Sequence, residues 1–276
     1  MSKIALLYSG QPRHVKECYQ NHLETFYNVN PDDEIDVFAH IWYDPAWVGT
    51  FFWDQYKDRG RWEADLKDFM QDNWKPKGIV FEEPKEFIPE GIEPDSRFPH
   101  PVNNIISMFY SLDQVNSIKK KYEEENGFKY DCVIVARFDI GHRSTWHMGY
   151  NVSLMPFNPT LDMNYIYSAM WKQLNAGYAD QWFFSNSENI DKFGTMYENA
   201  LNDYFQKNSD YYNAIINGWF DSNESNETSN EIINKDGLAI YYKYPRWQMI
   251  NNHILHKWHL REAGLYEKSK FLGEMR

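Results

Sequence analysis

Cysteine is scarce: Cys18 and Cys132 are the two in 276 residues, too few for a disulfide framework and without zinc-ligand spacing. Cys132 opens an apolar run and reads as a small buried hydrophobe. Positive charge is short as well, with 28 Lys and Arg against 40 Asp and Glu and a net charge of −12. That balance excludes the broad basic face on which phosphate-backbone binding depends, and with it a nucleic-acid partner. An anionic small ligand stays open wherever positive charge is concentrated locally. No apolar run approaches the roughly 20 residues of a membrane span. The opening MSKIALLYSG passes straight into a strand-like run, without the apolar stretch and small-residue cleavage site of a leader peptide. These absences predict a soluble intracellular protein with no transmembrane segment, placed in the cytoplasm (the host's, if the source is viral). The sequons at Asn151, Asn223 and Asn226 are then chance matches.

Aromatic residues are plentiful, with 11 Trp and 20 Tyr. Flat rings with a polar tip line sugar and base sites, although most serve a core. The stretch that organises the chain is Tyr130–His142, YDCVIVARFDIGH. Its continuous apolar run, Val133 to Ala136, predicts a strand covered on both faces, as in a parallel sheet between helices. It ends in Arg137, Asp139 and His142, where such sheets bind ligands. Asp139 there suits a divalent metal or a sugar hydroxyl, and Arg137 a phosphate. The plain alternative is a helix N-cap by Asp139 with a structural Arg137 salt bridge.

The rest alternates in α/β fashion. Lys3–Ser9 reads as a strand, Gly10-Gln11-Pro12-Arg13 as a tight turn, and HVKECYQNHLETFYN as a helix. A strand–turn–helix unit of this kind places backbone N–H groups beside a phosphate, but the turn lacks both the P-loop and the dinucleotide glycine spacing. Ile35–Ile41 and Gly78–Glu82 are further strands, and His40 reads as a satisfied core histidine. Residues 43–76 carry a broken helical pattern, and the proline-rich stretch Pro84–Pro101 is a loop. Asn103–Glu125 is a long amphipathic helix stopped at Asn126-Gly127. Tyr165–Ala169 and Gln181–Ser185 read as strands, Glu188–Phe205 and Asp210–Trp219 as helices, and Asp221–Asn230 as a polar loop. Trp247–Ala263 is a final helix whose His253, His256 and His259 drift around its axis, so they cannot share one metal.

Sugar transfer from a nucleotide donor needs charge neutralisation of the leaving diphosphate, a carboxylate at the reacting centre and a surface for ring faces. Arg13 and Arg137, Asp139 and Asp180, and the many Trp and Tyr supply these in kind. The order SGQPR, DVFAHIW, NNIISMFYS, YDCVIVARFDI and ADQWFFSNSENID resembles a family of bacterial and viral proteins regarded as glycosyltransferases of the GT-A type. The likeness runs over about residues 1–200 and extends more weakly to NNHILHKWHLREAGL. It implies an α/β fold with a Rossmann-like, mostly parallel central sheet flanked by helices and a helical C-terminal part. It also implies one domain over 1–276, with a nucleotide-binding half (1–142) and an acceptor half (143–276). By the same resemblance the donor is held by Gly10, Gln11, Arg13, Arg137, Asp139 and Gln181, and Asp180 is catalytic: a base if the enzyme inverts, an anchor for the donor sugar if it retains. Arg137-Phe138-Asp139 stands where the D-x-D motif has two acids. A Mn2+ or Mg2+ ion would be held by Asp139, with His253 or His256 completing its shell.

Two other function classes remain. SGQPR superficially resembles the turn that grips a nucleotide 5′-phosphate in a PAPS-dependent sulfotransferase, but His14-Val15-Lys16 replaces the Ser/Thr-rich continuation. A carbohydrate-binding or inactive relative would keep the aromatics and dispense with both acids.

Overall fold

The computed structural model describes residues 2–27, 33–50, 62–87, 101–141, 158, 160–170, 178–206, 209–211, 213 and 252–274. Seven strands form one sheet: β1 (Lys3–Gly10), β2 (Glu34–Trp42), β3 (Gly78–Glu82), β4 (Cys132–Ala136), β5 (Ile166–Met170), β6 (Trp182–Ser185) and β7 (Ser269–Glu274). Their spatial order is β3-β2-β1-β4-β6-β5-β7. β1 pairs in parallel with β2 and β4, β2 with β3, and β5 with β7, whereas β6 runs antiparallel to both its neighbours. The result is a mixed, mostly parallel α/β sheet of Rossmann-like character. No described helix is long and apolar enough to cross a membrane.

The central strands are apolar at nearly every position because both of their faces are covered. In β1, Ile4, Leu6 and Tyr8 join one core, with Val15 of α1 (Val15–His22) and Leu66 of α2 (Leu66–Phe69). Ala5 and Leu7 join the other, with Ile106 and Phe109 of the long helix α3 (Pro101–Asn126). β4 divides likewise, Val133 and Val135 to the α3 side, Cys132, Ile134 and Ala136 to the α1 side. This two-sided division explains why period-2 alternation is missing from the sequence.

Several expected elements change at their ends. α1 gives way at Leu23 to a widened turn reaching Tyr27. The long helix begins at Pro101, two residues before the expected Asn103, where the proline's missing N–H costs nothing. The single helix expected over Glu188–Phe205 is broken into α4 (Ser187–Phe193) and α5 (Met196–Asn199), the latter widening over Ala200–Tyr204. Gly194 lies at the break, where a Cβ would come within 2.5 Å of the Asn116 side chain of α3. The last helix, α6, is described over Asn252–Glu262. Among the described C-terminal residues the chain also returns after Gly264 to add β7 beside β5, a strand the sequence does not announce. His142, most of the helix expected over Asp210–Trp219 (all but 210, 211 and 213) and the loop expected over Asp221–Asn230 lie outside the described residues.

His40 is a core histidine. It is fully buried between the Ser111 hydroxyl (2.7 Å from Nδ1) and the Glu82 carboxylate (2.8 Å from Nε2), tying β2 to α3 and β3.

Candidate functional site

Parallel pairing brings the carboxyl ends of β1 and β4 side by side, Tyr8 opposite Ala136. Because β6 is antiparallel, its first residue Trp182 also stands opposite Ala136. Asp180 and Gln181, just ahead of β6, therefore reach the same edge as Arg137 and Asp139, just beyond β4. The Arg137 N–H donates to the Gln181 carbonyl at 3.1 Å and extends the ladder by one residue.

The three charged side chains form one cluster. Arg137 Nε donates to Asp139 Oδ1 at 2.9 Å and its Nη2 to Oδ2 at 2.7 Å, a bidentate pair. Its Nη1 lies 3.6 Å from Asp180 Oδ1. Asp180 Oδ2 accepts from the Asn252 amide at 2.9 Å. Asp139 is 5% exposed, whereas the Asp180 side chain keeps 21% of its surface open. The Arg137 salt bridge of the plain alternative is present, and the residues that an Asp139 N-cap would serve, from 142 on, lie outside the described residues.

Burial by itself would raise the Asp139 pKa, but Arg137, with Arg13 and His14 behind it, holds the carboxyl at about 2. Burial also opposes ionisation of Asp180, and the Asp139 charge works the same way. Arg137 outweighs both, helped by His253 and His256, and keeps Asp180 below the usual carboxylate range. Burial disfavours the Arg137 cation, yet its two acids hold its pKa above the ordinary value. Both acids are thus ionised at neutral pH, and neither suits a general acid.

The backbone around the cluster is braced from α1. His22 Nε2 meets the Phe138 carbonyl at 3.1 Å, and its Nδ1 meets the Tyr8 hydroxyl at 2.7 Å. Burial lowers the His22 pKa to about 4, so the ring is neutral, with Nε2 donating and Nδ1 accepting. Asn21 Nδ2 donates to the Gly141 carbonyl at 3.2 Å. Gly141 has φ +82 and would meet Asn21 with any Cβ. His22→Leu leaves the Tyr8 hydroxyl and the Phe138 carbonyl without this partner in the core, an expected loss of about 2 kcal/mol in a urea melt.

On the β1 side, Gly10 has φ +100 and, among the described residues, nothing within 4 Å of where a Cβ would stand, so no side chain covers the backbone there. Arg13 Nε and Nη2 both donate to the Gln11 side-chain oxygen, at 2.9 and 2.5 Å, which folds the guanidinium back over the turn. His14, at φ 50, gives α1 a left-handed N-cap residue without a capping side-chain bond.

The histidines of α6 are packing groups. His253 Nδ1 lies 2.7 Å from the Tyr178 carbonyl, and the Tyr178 N–H donates to the His253 carbonyl at 3.1 Å. His256 stacks on Phe193 and lies against Phe183 and Phe109. Burial takes its pKa to about 3. His259 meets the Tyr204 hydroxyl and the carbonyls of Lys192 and Phe193. The donor set expected for a divalent cation does not fit one: Asp139 has both oxygens on Arg137, and His253 Nδ1 faces a carbonyl. Among the described residues no group of three His, Cys, Asp or Glu is placed to hold a metal. Asn252 and the Tyr178–His253 lock were not singled out by the sequence; they lie 72 and 75 residues from their partners, and nothing local marks them.

Comparison with protein-family models and with curated proteins finds no match.

Proposed function

We propose that this chain is a glycosyltransferase of GT-A-like fold, moving a sugar from a nucleotide-sugar to a hydroxyl of a glycan or other acceptor. The observation that carries the reading is the convergence of Gly10–Arg13, Arg137–Asp139 and Asp180 on one end of the parallel strands, where open α/β sheets bind ligands. The bare backbone at Gly10 and the Arg13 cation suit the diphosphate. Arg137 serves it less directly than the sequence suggests, because Asp139 and Asp180 already engage it.

Asp180 is the more exposed acid and is ionised, so its part is to accept a proton or a hydroxyl hydrogen bond, never to donate one. In an inverting transfer it takes the proton of the incoming hydroxyl as the new glycosidic bond forms and the bond to the diphosphate breaks. In a retaining one it steadies the donor sugar. Asp139, with both oxygens on Arg137, orients that guanidinium. The carbohydrate-binding reading draws on the same saturation, since an Arg137 satisfied by two acids also serves a purely structural site.

Thermal unfolding in the presence of UDP, GDP, CMP or PAP, with and without Mn2+, tests this. One nucleoside diphosphate should raise the midpoint, by about 2.7 kcal/mol of linkage at a hundred times its Kd, and Mn2+ should add nothing of its own. A response to PAP alone would transfer the site to a sulfotransferase. No response to any of the four would leave the sugar-binding module in front.

A further inference from the structure

We propose that Asn252 is a positioning residue for Asp180, fixing which of its two carboxylate oxygens is offered to substrate. Asn252 is the first described residue of α6, and its amide nitrogen donates to Asp180 Oδ2 at 2.9 Å. A carboxylate only accepts, so the amide must present its NH2 group there. The remaining oxygen, Oδ1, faces Arg137 Nη1 at 3.6 Å, beyond hydrogen-bond length. Oδ2 is therefore tied down and Oδ1 is held by charge, which leaves Oδ1 as the atom for an incoming hydroxyl.

The contact is rigid for a reason independent of Asn252. Its neighbour His253 and Tyr178, two residues before Asp180, exchange two hydrogen bonds, so the first turn of α6 and the segment leading into β6 move as one piece. Ile254 and Leu255 bury the same turn in the core. Among the described residues, the charged and titratable groups facing Asp180 are Arg137 and Asp139 from the end of β4 and His253 and His256 from α6. Asn252 adds a neutral donor, which orients the carboxylate without a second cation competing for it.

The turnover arm of the test rests on the proposed glycosyl transfer; a second arm does not. Asn252→Ala, Asp180→Asn and the double variant are assayed with UDP-, GDP- and CMP-sugars. Asn252→Ala should lower kcat about tenfold, the effect of one hydrogen bond to a charged group, with KM within about twofold. In the Asp180→Asn background the same change should cost nothing further, because Asn252 acts through Asp180. Additive losses would overturn the proposal. Carbon-13 carboxyl titration by NMR, with the Asp180 signal assigned by its loss in Asp180→Asn, gives the independent arm. Its midpoint should rise in Asn252→Ala and rise further in Asn252→Asp, which fills the same space but sets a second carboxylate beside it. If no nucleotide-sugar is turned over by the unaltered protein, the glycosyl-transfer reading fails and this titration alone decides: a raised midpoint supports the positioning role, an unmoved one overturns it. Should the alanine variant not fold, the isosteric Asn252→Asp carries the test.

Discussion

Replacing Arg137 with Met is expected to destabilise the protein by about 3 kcal/mol at pH 7, the lower end of the cost of removing one partner from a buried ion pair. The lower end applies because the Arg137 side chain keeps 28% of its surface in contact with solvent. Its removal leaves Asp139, 5% exposed, without the cation that holds both its oxygens, and Asp180 with the Asn252 amide still donating to it at 2.9 Å. The pH dependence separates this electrostatic cost from lost packing. Asp139 sits at about 2 in the folded chain against 3.8 when unperturbed. Its ionisation therefore contributes about 2 kcal/mol above pH 4, lost as the pH falls from about 4 to 2. In the variant the sign reverses: burial raises the Asp139 pKa above its unfolded value, so charging it opposes folding at neutral pH and protonation relieves the strain. The gap between the two proteins should be widest at pH 7, begin to narrow as the pH falls through the raised Asp139 pKa of the variant, and narrow further from about 4 to 2 as the native protein loses its own contribution. Urea unfolding at pH 7, 5 and 3 measures it, and adding Asp139→Asn to Arg137→Met should recover part of the loss. A gap independent of pH would assign the cost to packing.

That cluster was half legible in the sequence. Arg137 and Asp139 stand two apart just beyond a strand, and a salt bridge at Arg137 is one of the two readings the sequence offers there. The approach of Asp180 was not legible, because it depends on β6 running against β4, and the sequence of a four-residue strand does not state its direction. The inner strands were legible for a physical reason: burial on both faces demands unbroken apolar runs, as in Cys132–Ala136. β7, SKFLGE, carries no unbroken apolar run because, among the described residues, it lies at the sheet edge and pairs with β5 alone. The break falls at Gly194, a poor helix former and so a local sign of a stop, whereas the close approach of Asn116, 78 positions earlier, is a tertiary contact that the local sequence does not show.

The second large effect is expected away from the site, at the support that holds β4 and β6 in place. Glu123, near the end of α3, is 1% exposed and accepts from four donors. Lys119 Nζ and Lys129 Nζ reach Oε2 at 3.2 and 2.8 Å, and the Tyr130 N–H and Ser187 Oγ reach Oε1 at 3.0 and 2.6 Å. Tyr130 leads into β4 and Ser187 opens α4 directly after β6, so one carboxylate fixes the approach to one strand and the exit of the other. Glu123→Met removes the shared acceptor and strands a buried backbone N–H. It also leaves the fully buried Lys119 with Asp191 at 2.6 Å as its remaining carboxylate. The expected cost is about 4 kcal/mol. Glu123→Gln keeps one acceptor oxygen but turns an NH2 group toward the donors on the other side, and should cost about half as much. Burial opposes ionisation of Glu123, while Lys129, Ser187, the Tyr130 N–H and Lys119 together hold its pKa below 4.5. Its stabilisation is then complete above the unfolded value and lost as the pH falls through the folded one, so the difference between the native protein and Glu123→Met should shrink below about pH 4.5. Because the network anchors the approach to β4 and the exit from β6, Glu123→Gln should also weaken the nucleotide-induced stabilisation that the proposed function predicts, without altering any residue at the site's end of these strands. Unfolding midpoints with and without the bound nucleoside diphosphate give that comparison: equal ligand-induced shifts in the two proteins would show that the site keeps its geometry without the network.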